Sequence, residues 1–497
     1  MKKIAPQTID TLLSIIQHYH KDPNRQADLD LVRRAYDFAH TAHNGQTRRS
    51  GDPYIVHPLA AAHILANMHI DPVIIAATLL HDVPEDTGIT LEEIEQQFGE
   101  EITSLVRGIT KLGKLKYRGV ERYIENLRKM FVAMAEDVRV MIIKFADRIH
   151  NLQTLDALPP QKQYRIALES LEIYAPIANR LGMDNIKGTL ENLSFRYVYP
   201  KEYERVKKLR QEKLKGKEQY LQEMVKRAEE EIKMAGIRMV SIRGRNKRLY
   251  SFYQKLIRKD NQVAKIYDLV ALRIIVPTIA DCYATLGILH NVWKPVKGRI
   301  KDYISQPKPN GYQSLHTSVF AEDGEIVEFQ IRTSEMEETA EYGTAAHWRY
   351  DESGHGRAAK REIQWAKELA EIQKDILGKL SDLEEIKIDF LQTRIFVFTP
   401  RGDVIDLPEG ATPVDFAYHI HTDIGNKCSA AIINDKIARL DTELKNGDVV
   451  EIITEKNRKG PNQDWLKFVK THTARYHIKS QQKNKLSGWF KSVLPKK

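Results

Sequence analysis

The feature that most constrains this chain is a change in the period of its apolar residues. Over residues 1–196 they recur at helical spacing, as in Leu31-Ala35-Phe38-Ala39, Leu59-Ala62-Ile64-Leu65 and Val73-Ile74-Ala77-Leu80. Past residue 235 short β-branched runs take over, at Ile237-Val240 and Leu269-Val276. Ile326-Ile331 alternates strictly, so Glu328 and Gln330 face away from Val327, Phe329 and Ile331. A chain of 497 residues is too long for one core. The expectation is a multidomain protein. It comprises an all-α domain over 1–196, a charged helical linker over 197–235 and a mixed α/β domain over 236–350. A charged helical connector over 351–390, a small α+β module over 391–455 and a basic tail over 456–497 follow. In the module the pattern reads strand-turn-strand (RIFVFTP, RGD, VIDLPEG), a helix over Pro413 to Ile420, then strands at Ser429-Ile433 and Asp448-Thr454.

Two cysteines, Cys282 and Cys428, exclude a disulfide framework or a Cys-rich zinc module and fit a reducing compartment. No apolar run approaches about eighteen residues and the first residues carry no signal-peptide pattern, so a soluble cytoplasmic chain without a membrane partner is expected. The formal net charge is +10. It has two readings, a solvated basic surface or an attraction for polyphosphates and RNA.

Two clusters of polar residues interrupt the apolar pattern. In the helical part, His57, the doublet His81-Asp82 and Asp147 sit where apolar runs (IIAATLLHD, VMIIKFAD) end against the core, and charged groups there need a partner or a metal. Mixed imidazole and carboxylate donors suit Mn²⁺, Fe²⁺ or Zn²⁺, and a bound divalent ion makes hydroxide available near neutral pH. Glu85 and Asp86, one turn after the doublet, are candidates for proton transfer or for holding the attacking water. Arg48 and Arg49 offer planar donors to phosphate.

The second cluster spans Arg245 to Arg332. GRNKRLYSFYQK places Arg245, Lys247, Arg248 and Lys255 around a turn into a helix, which suits a polyphosphate. Asp268 opens a strand and can offer a carboxylate to Mg²⁺. The following loop supplies Lys297, Arg299, Lys301, Lys308, Asn310, Tyr312 and His316, with Tyr312 placed to stack on a purine. Glu328 is either a second metal carboxylate or the base that deprotonates an attacking hydroxyl. Without a Walker A sequence this is not a P-loop enzyme.

These stretches resemble the long RelA/SpoT-type alarmone enzymes, over about residues 30 to 470. The first domain carries HNGQTRRSGDPYIVHP, LLHDVPEDT, GITKLGKLKY and KFADRIHNLQTL. The second carries GRNKRLYSFYQK, IYDLVALRII, GRIKDYISQPKPNGYQSLHTS, VEFQIRT and AEYGTAAHW, and FAYHIHTDIGNKC is similar to a TGS domain. The resemblance implies an all-α HD-type hydrolase domain, a nucleotidyltransferase-like α/β synthetase domain and a β-grasp-like TGS domain. It implies Mn²⁺ on His57, His81, Asp82 and Asp147, with Glu85 and Asp86 as catalytic acids and Arg48 and Asn151 on nucleotide. Asp268 and Glu328 would serve Mg²⁺ and the acceptor 3′-hydroxyl. Arg245 and Lys247 would hold ATP, and Ser251, Lys255, Arg299, Lys301, Lys308, Asn310, Tyr312, His316 and Gln330 would line the nucleotide pocket, with Tyr312 on guanine. The implied chemistry is bifunctional, making (p)ppGpp from ATP and GDP or GTP and hydrolysing it. A contact between the TGS domain and uncharged tRNA on the ribosome would involve His421.

Three departures from the family pattern stand out. Gln262 to Lys265 replace an Arg-Phe-Asp-Asp motif, which raises a hydrolase-dominant alternative. Asn426 stands where a second His is common, so a weakened or altered tRNA contact is expected, while the TGS-like module and the basic tail raise a ribosome- or tRNA-binding sensor as a further alternative. The zinc-finger and ACT/RRM regions of long members have no counterpart here, so ribosome-triggered activation is expected to be impaired or differently wired. Homo-oligomerisation is left open.

Overall fold

A computed structural model describes residues 7–19, 25–113, 129–214, 218–262, 270–345 and 394–480, less 131, 135, 247, 309, 322–323, 344, 446, 456–457 and 459. The chain divides into two compact units, 1–373 and 374–497. The helical and mixed regions share the first.

The helical region runs α1 (Ile9–Tyr19), α2 (Arg25–Ala42), α3 (Val56–Asn67), α4 (Pro72–Leu80), α5 (Val83–Asp86), α6 (Leu91–Gly113) and α7 (Arg139–Gln153). Asp71 caps α4 by accepting from Val73 N at 2.7 Å, and Pro72 follows it in the first turn, where its missing N–H costs nothing. Of the nine residues of α4, all but Val73 are buried, so α4 runs through the core and delivers His81 and Asp82 into it. Pro84 sits in the first turn of α5, so the chain re-enters a helix immediately after the doublet, as its tolerance there predicts. Then come α8 (Pro160–Glu169), a π-helical turn (Ser170–Tyr174), α9 (Ala175–Arg180) and α10 (Asp184–Val198).

The charged stretch, expected to form an exposed helix packed on one face, is two helices, α11 (Pro200–Leu214) and α12 (Glu218–Met234). Met224, Ala228 and Ile232 of α12 are buried in the core of the mixed region. Their spacing of four residues gives them one apolar stripe, the packed face of an otherwise charged helix.

The mixed region holds a five-stranded sheet in the order β1-β2-β5-β4-β3. The strands are β1 (Ser241–Asn246), β2 (Val270–Val276), β3 (Lys301–Asp302), β4 (Leu315–Phe320) and β5 (Ile326–Thr333). Pairing is antiparallel except between β2 and β5. The strand expected at Ile237-Val240 lies instead at 241–246, since 237–240 form the lead-in from α12. One sheet face carries Leu272, Ile274, Val319, Val327, Phe329 and Ile331 into the core with α14 (Ile279–Val292). On the other face Arg243 is in register with Arg273, Arg273 with Gln330, and Gln330 with His316. Glu337 and Glu341 of α15 (Ser334–Tyr342) pair with Arg273 on that polar face, while α13 (Leu249–Arg258) packs through Leu249, Phe252 and Leu256 on Phe195 and Val206.

The second unit has β6 (Arg394–Phe398) paired with β7 (Val404–Pro408), and β8 (Cys428–Ile433), β9 (Lys436–Ala438) and β10 (Val450–Thr454) in a sheet of order β10-β8-β9. Between them lie α16 (Pro413–Ile420) and α17 (Thr422–Lys427). The expected basic tail is folded in its first part. Trp465, Val469, Ala474 and Ile478 bury against Val414, Ala417 and Tyr418. The buried Asp415 accepts from Lys470 N, Thr471 N and Thr471 Oγ1 at 2.7–2.9 Å. The expected connector over 351–390 falls outside the described residues.

Two glycines let the mixed region approach the turn after α9 closely. Gly182 (φ +73°) would place a Cβ 2.9 Å from Asn310 O, and Gly343 (φ +56°) lies on the backbone of Leu181 to Met183. Gly343→Ala should therefore lose about 2 kcal/mol or more of unfolding free energy in urea titration. Gly298→Ala, also at positive φ (+73°) but with nothing near its Cβ, should lose only about 1 kcal/mol.

Candidate functional site

In the helical region three elements converge on one buried point. His57 comes from the first turn of α3, His81 and Asp82 from the junction of α4 and α5, and Asp147 from the middle of α7. His57, His81 and Asp147 each direct a donor atom to within 4.8 Å of the others, and all three are buried. His57 Nε2 lies 3.2 Å from Asp147 Oδ1 and 3.5 Å from Asp82 Oδ2, while His81 Nε2 lies 3.1 Å from Asp82 Oδ1.

The donor set fits a divalent cation. His81 Nδ1 sits 2.7 Å from Thr78 O, so Nδ1 carries the proton and Nε2 the lone pair. That Nε2 is buried and makes no hydrogen bond, an orphan that a metal would satisfy. Two carboxylates against one ammonium, Lys144, leave the cluster one negative charge in excess. Burial alone would raise the Asp147 pKa, but the Lys144 ammonium at 2.7 Å outweighs it and holds the carboxyl well below its usual range. Lys144 was not singled out from the sequence. One turn before Asp147, at i−3, it was the available signal.

Around this point Arg48 reaches Asn151 Oδ1 (2.8 Å), His150 Nδ1 (3.2 Å) and Thr154 Oγ1 (3.3 Å). Asn151 in turn donates to Asp147 Oδ1. Arg49 is exposed, without a place in the cluster. The Tyr54 hydroxyl, also missed in sequence, lies 2.9 Å from Asp82 Oδ2 and 2.5 Å from Asp86 Oδ2 and shares one proton between them. Glu85 and Asp86 stand at the exposed rim. Partial burial, with Asp82 and Asp86 adding to it against Lys144, pushes the Glu85 carboxyl up. A carboxyl of raised pKa beside the donor cluster can exchange a proton with a bound water.

The second cluster lies on the polar face of the sheet. Glu328 Oε1 is 3.0 Å from His316 Nδ1 and 3.0 Å from Gln330 Nε2. His316 Nε2 is 2.7 Å from the Tyr312 hydroxyl. Lys308 lies 4.9 Å and Arg332 5.3 Å from the Tyr312 ring centre, so the ring is already a cation-binding platform. Burial lowers the His316 pKa and keeps the ring neutral near pH 7. Burial would raise Glu328, but hydrogen bonds from His316 and Gln330 and the charge of Lys255 outweigh it, bringing the pKa down to about 2.

Asn310 donates to Asn179 O of the helical region at 3.4 Å. Arg248 is turned away from the sheet, donating to Asp184 O and Asn185 Oδ1. Ser251 is half-buried on α13, and Arg299 and Lys301 are exposed at the β3 edge. Arg245 is described by its backbone, in register with Ala271, itself paired with Glu328. Lys247, Asp268 and Val263 to Lys265 fall outside the described residues.

Arg332 was missed as a site residue. It is 1% exposed, 3.2 Å from Gln330 Oε1 and 3.2 Å from Glu337 Oε2, and Glu337 and Glu341 also hold Arg273. Continuing the β5 alternation past Gln330 would have placed Arg332 on the polar face.

This geometry agrees with the comparisons. Residues 35–184 match the HD domain family, 244–355 a region found in RelA/SpoT proteins, and 395–454 the TGS domain family. A bifunctional (p)ppGpp synthase/hydrolase, SpoT, of Escherichia coli K12 is 44% identical over 96% of this chain and 67% of its own length. The chain belongs to the RelA/SpoT family. A guanosine-3′,5′-bis(diphosphate) 3′-pyrophosphohydrolase of Aquifex aeolicus is 45% identical over 96% of the chain and 68% of its own length. A GTP pyrophosphokinase of Myxococcus xanthus is 46% identical over 95% and 62%, and the chain spans similar shares, 60% and 58%, of two other curated relatives. Among the described residues no helix is long and apolar enough to cross a membrane. In the TGS region His421 is exposed and accepts from Asp423 N at 3.2 Å, while Asn426 Oδ1 receives the Tyr418 hydroxyl at 3.0 Å. Asn426 thus has a packing role inside the module.

Glu328 has its pKa lowered by folding, so its stabilisation is complete above the ordinary value of 4.5 and is lost as pH falls toward about 2. Glu328→Gln should be less stable than the parent by about 1–2 kcal/mol at neutral pH. That gap should close across the window from 4.5 to 2, read by denaturant titration at each pH.

Proposed function

We propose that this chain is a bifunctional alarmone enzyme. The hydrolase occupies residues 1–196. It removes the 3′-pyrophosphate of (p)ppGpp with water, giving GDP or GTP and pyrophosphate. The synthetase occupies residues 236–350, where the 3′-hydroxyl of GDP or GTP attacks the β-phosphorus of ATP and AMP leaves. The observation that carries this reading is the presence, in one compact unit, of two chemically different polar sites, one of buried imidazole and carboxylate donors on helices, the other a carboxylate, imidazole and cation-flanked tyrosine on a sheet.

In the hydrolase, His57, His81, Asp82 and Asp147 would hold Mn²⁺, which when bound supplies hydroxide near neutral pH and neutralises charge on the phosphate. Glu85, with its raised pKa, gives a proton to the departing 3′-oxygen, and Asp86, tied to Tyr54, holds the attacking water in line. Arg48 and Asn151 face the nucleotide. In the synthetase, Tyr312 stacks on guanine, and Lys308, Arg245, Lys247, Lys255, Arg299 and Lys301 balance phosphate charge. Asp268 and Glu328 would hold Mg²⁺, which when bound would offset charge on the ATP phosphates, and Glu328, its pKa brought down to about 2, accepts the proton of the 3′-hydroxyl. Ser251, Asn310, His316 and Gln330 complete the pocket.

A further part of the reading concerns the TGS region. His421, exposed beside a folded segment carrying Lys467, Lys470, Arg475 and Tyr476, is proposed to contact uncharged tRNA on the ribosome. Binding of tRNA should weaken steeply with added salt. A cytoplasmic location accords with these substrates.

His81→Ala should abolish (p)ppGpp hydrolysis with Mn²⁺ while leaving synthesis from ATP and GDP within about two-fold. Glu328→Gln should do the reverse, lowering synthesis by about 10²–10⁴-fold and sparing hydrolysis. Chromatography of the nucleotide products reads both. Loss of both activities in either variant, with the fold intact, would contradict two separate sites.

A further inference from the structure

We propose that His150 is a positioning residue that fixes the tautomer of His57 and joins it to Arg48, so that one guanidinium braces two residues of the donor cluster. The inference rests on reading that cluster as a cation site. His57 Nδ1 and His150 Nδ1 are 2.7 Å apart. The ring centres are 5.0 Å apart with planes 28° from parallel, a separation that the 2.7 Å contact and the two ring radii just fill. The rings therefore meet edge to edge, with an N–H of one aimed at the lone pair of the other.

Arg48 decides which ring donates. A guanidinium can only donate, and it directs an N–H to His150 Nδ1 at 3.2 Å. His150 Nδ1 must then bear the lone pair, shared by both donors, and the proton between the rings belongs to His57 Nδ1. In the neutral ring His57 Nε2 is thereby the unprotonated nitrogen, facing Asp147 Oδ1 at 3.2 Å and Asp82 Oδ2 at 3.5 Å. A lone pair opposed to two carboxylates is repulsive until a cation lies between them. His81 reaches the same tautomer by a different route, through the Thr78 carbonyl.

The other arm of Arg48 completes the brace. Its second nitrogen donates to Asn151 Oδ1 at 2.8 Å, and Asn151 donates onward to Asp147 Oδ1. Arg48 thus reaches His57 through His150 and Asp147 through Asn151, with one relay residue in each arm. Both relays come from adjacent positions on α7, which fixes their spacing.

The test uses the full chain stripped of metal and titrated with Mn²⁺, free ion being read by electron paramagnetic resonance. His150→Ala should weaken Mn²⁺ binding by about 10–100-fold. His150→Asn, whose amide oxygen can occupy the place of Nδ1, should restore it to within a few-fold. Nitrogen-15 NMR of the metal-free parent at mildly alkaline pH should show His57 protonated at Nδ1, a readout needing no variant. Unchanged affinity in a folded His150→Ala, equal weakening in both variants, or a His57 protonated at Nε2 would each overturn the proposal. A parent that binds Mn²⁺ with this pattern yet hydrolyses no (p)ppGpp would uphold the proposal and remove the hydrolase reading instead.

Discussion

Charge buried on the inward faces of regular elements is the constraint on which both sites rest. An ionised group removed from water needs a partner, and the partner has to come from an element that packing already holds in place. Asp147 has Lys144 one turn earlier on its own helix, and its remaining contacts come from α3 and from Asn151. Arg332 and Arg273, nearly buried under α15, have Glu337. In both places the pairing leaves selected atoms without a full complement, such as His81 Nε2, and those atoms are where chemistry can enter.

The same constraint explains why the two sites sit in one compact unit without sharing residues. The helical site is closed by α3, α4 and α7, while the sheet site opens on the opposite type of surface, a pleated face whose other side is the core. Their meeting ground is the turn around Gly182, where the backbone of the helical region lies against Asn310 and Gly343. Asn310 belongs to the loop that carries Lys308 and Tyr312, so the helical region helps shape the nucleotide loop. Membership of the RelA/SpoT family, where both activities occur in named relatives, accords with this arrangement.

Much of this was legible in the residues. The doublet after IIAATLLHD and the aspartate after VMIIKFAD marked polar groups driven into the core, and the alternation of β5 separated Glu328 and Gln330 from the apolar face. What escaped were partners at long range. Tyr54 meets Asp82 and Asp86 across 28 and 32 residues, and Arg48 meets His150 across 102. The folded start of the basic tail depended on Asp415, 55 residues earlier.

Local pattern therefore determined the elements, their apolar faces and the identities of the groups at each site, because side-chain periodicity and capping act within a few residues along the chain. Tertiary structure alone decided that Tyr54 meets Asp82 and Asp86, that Arg48 reaches His150, and that Arg248 turns toward α10 instead of the sheet. Those choices depend on distances of a few ångströms between segments far apart in sequence, and packing sets such distances only once the whole unit has closed.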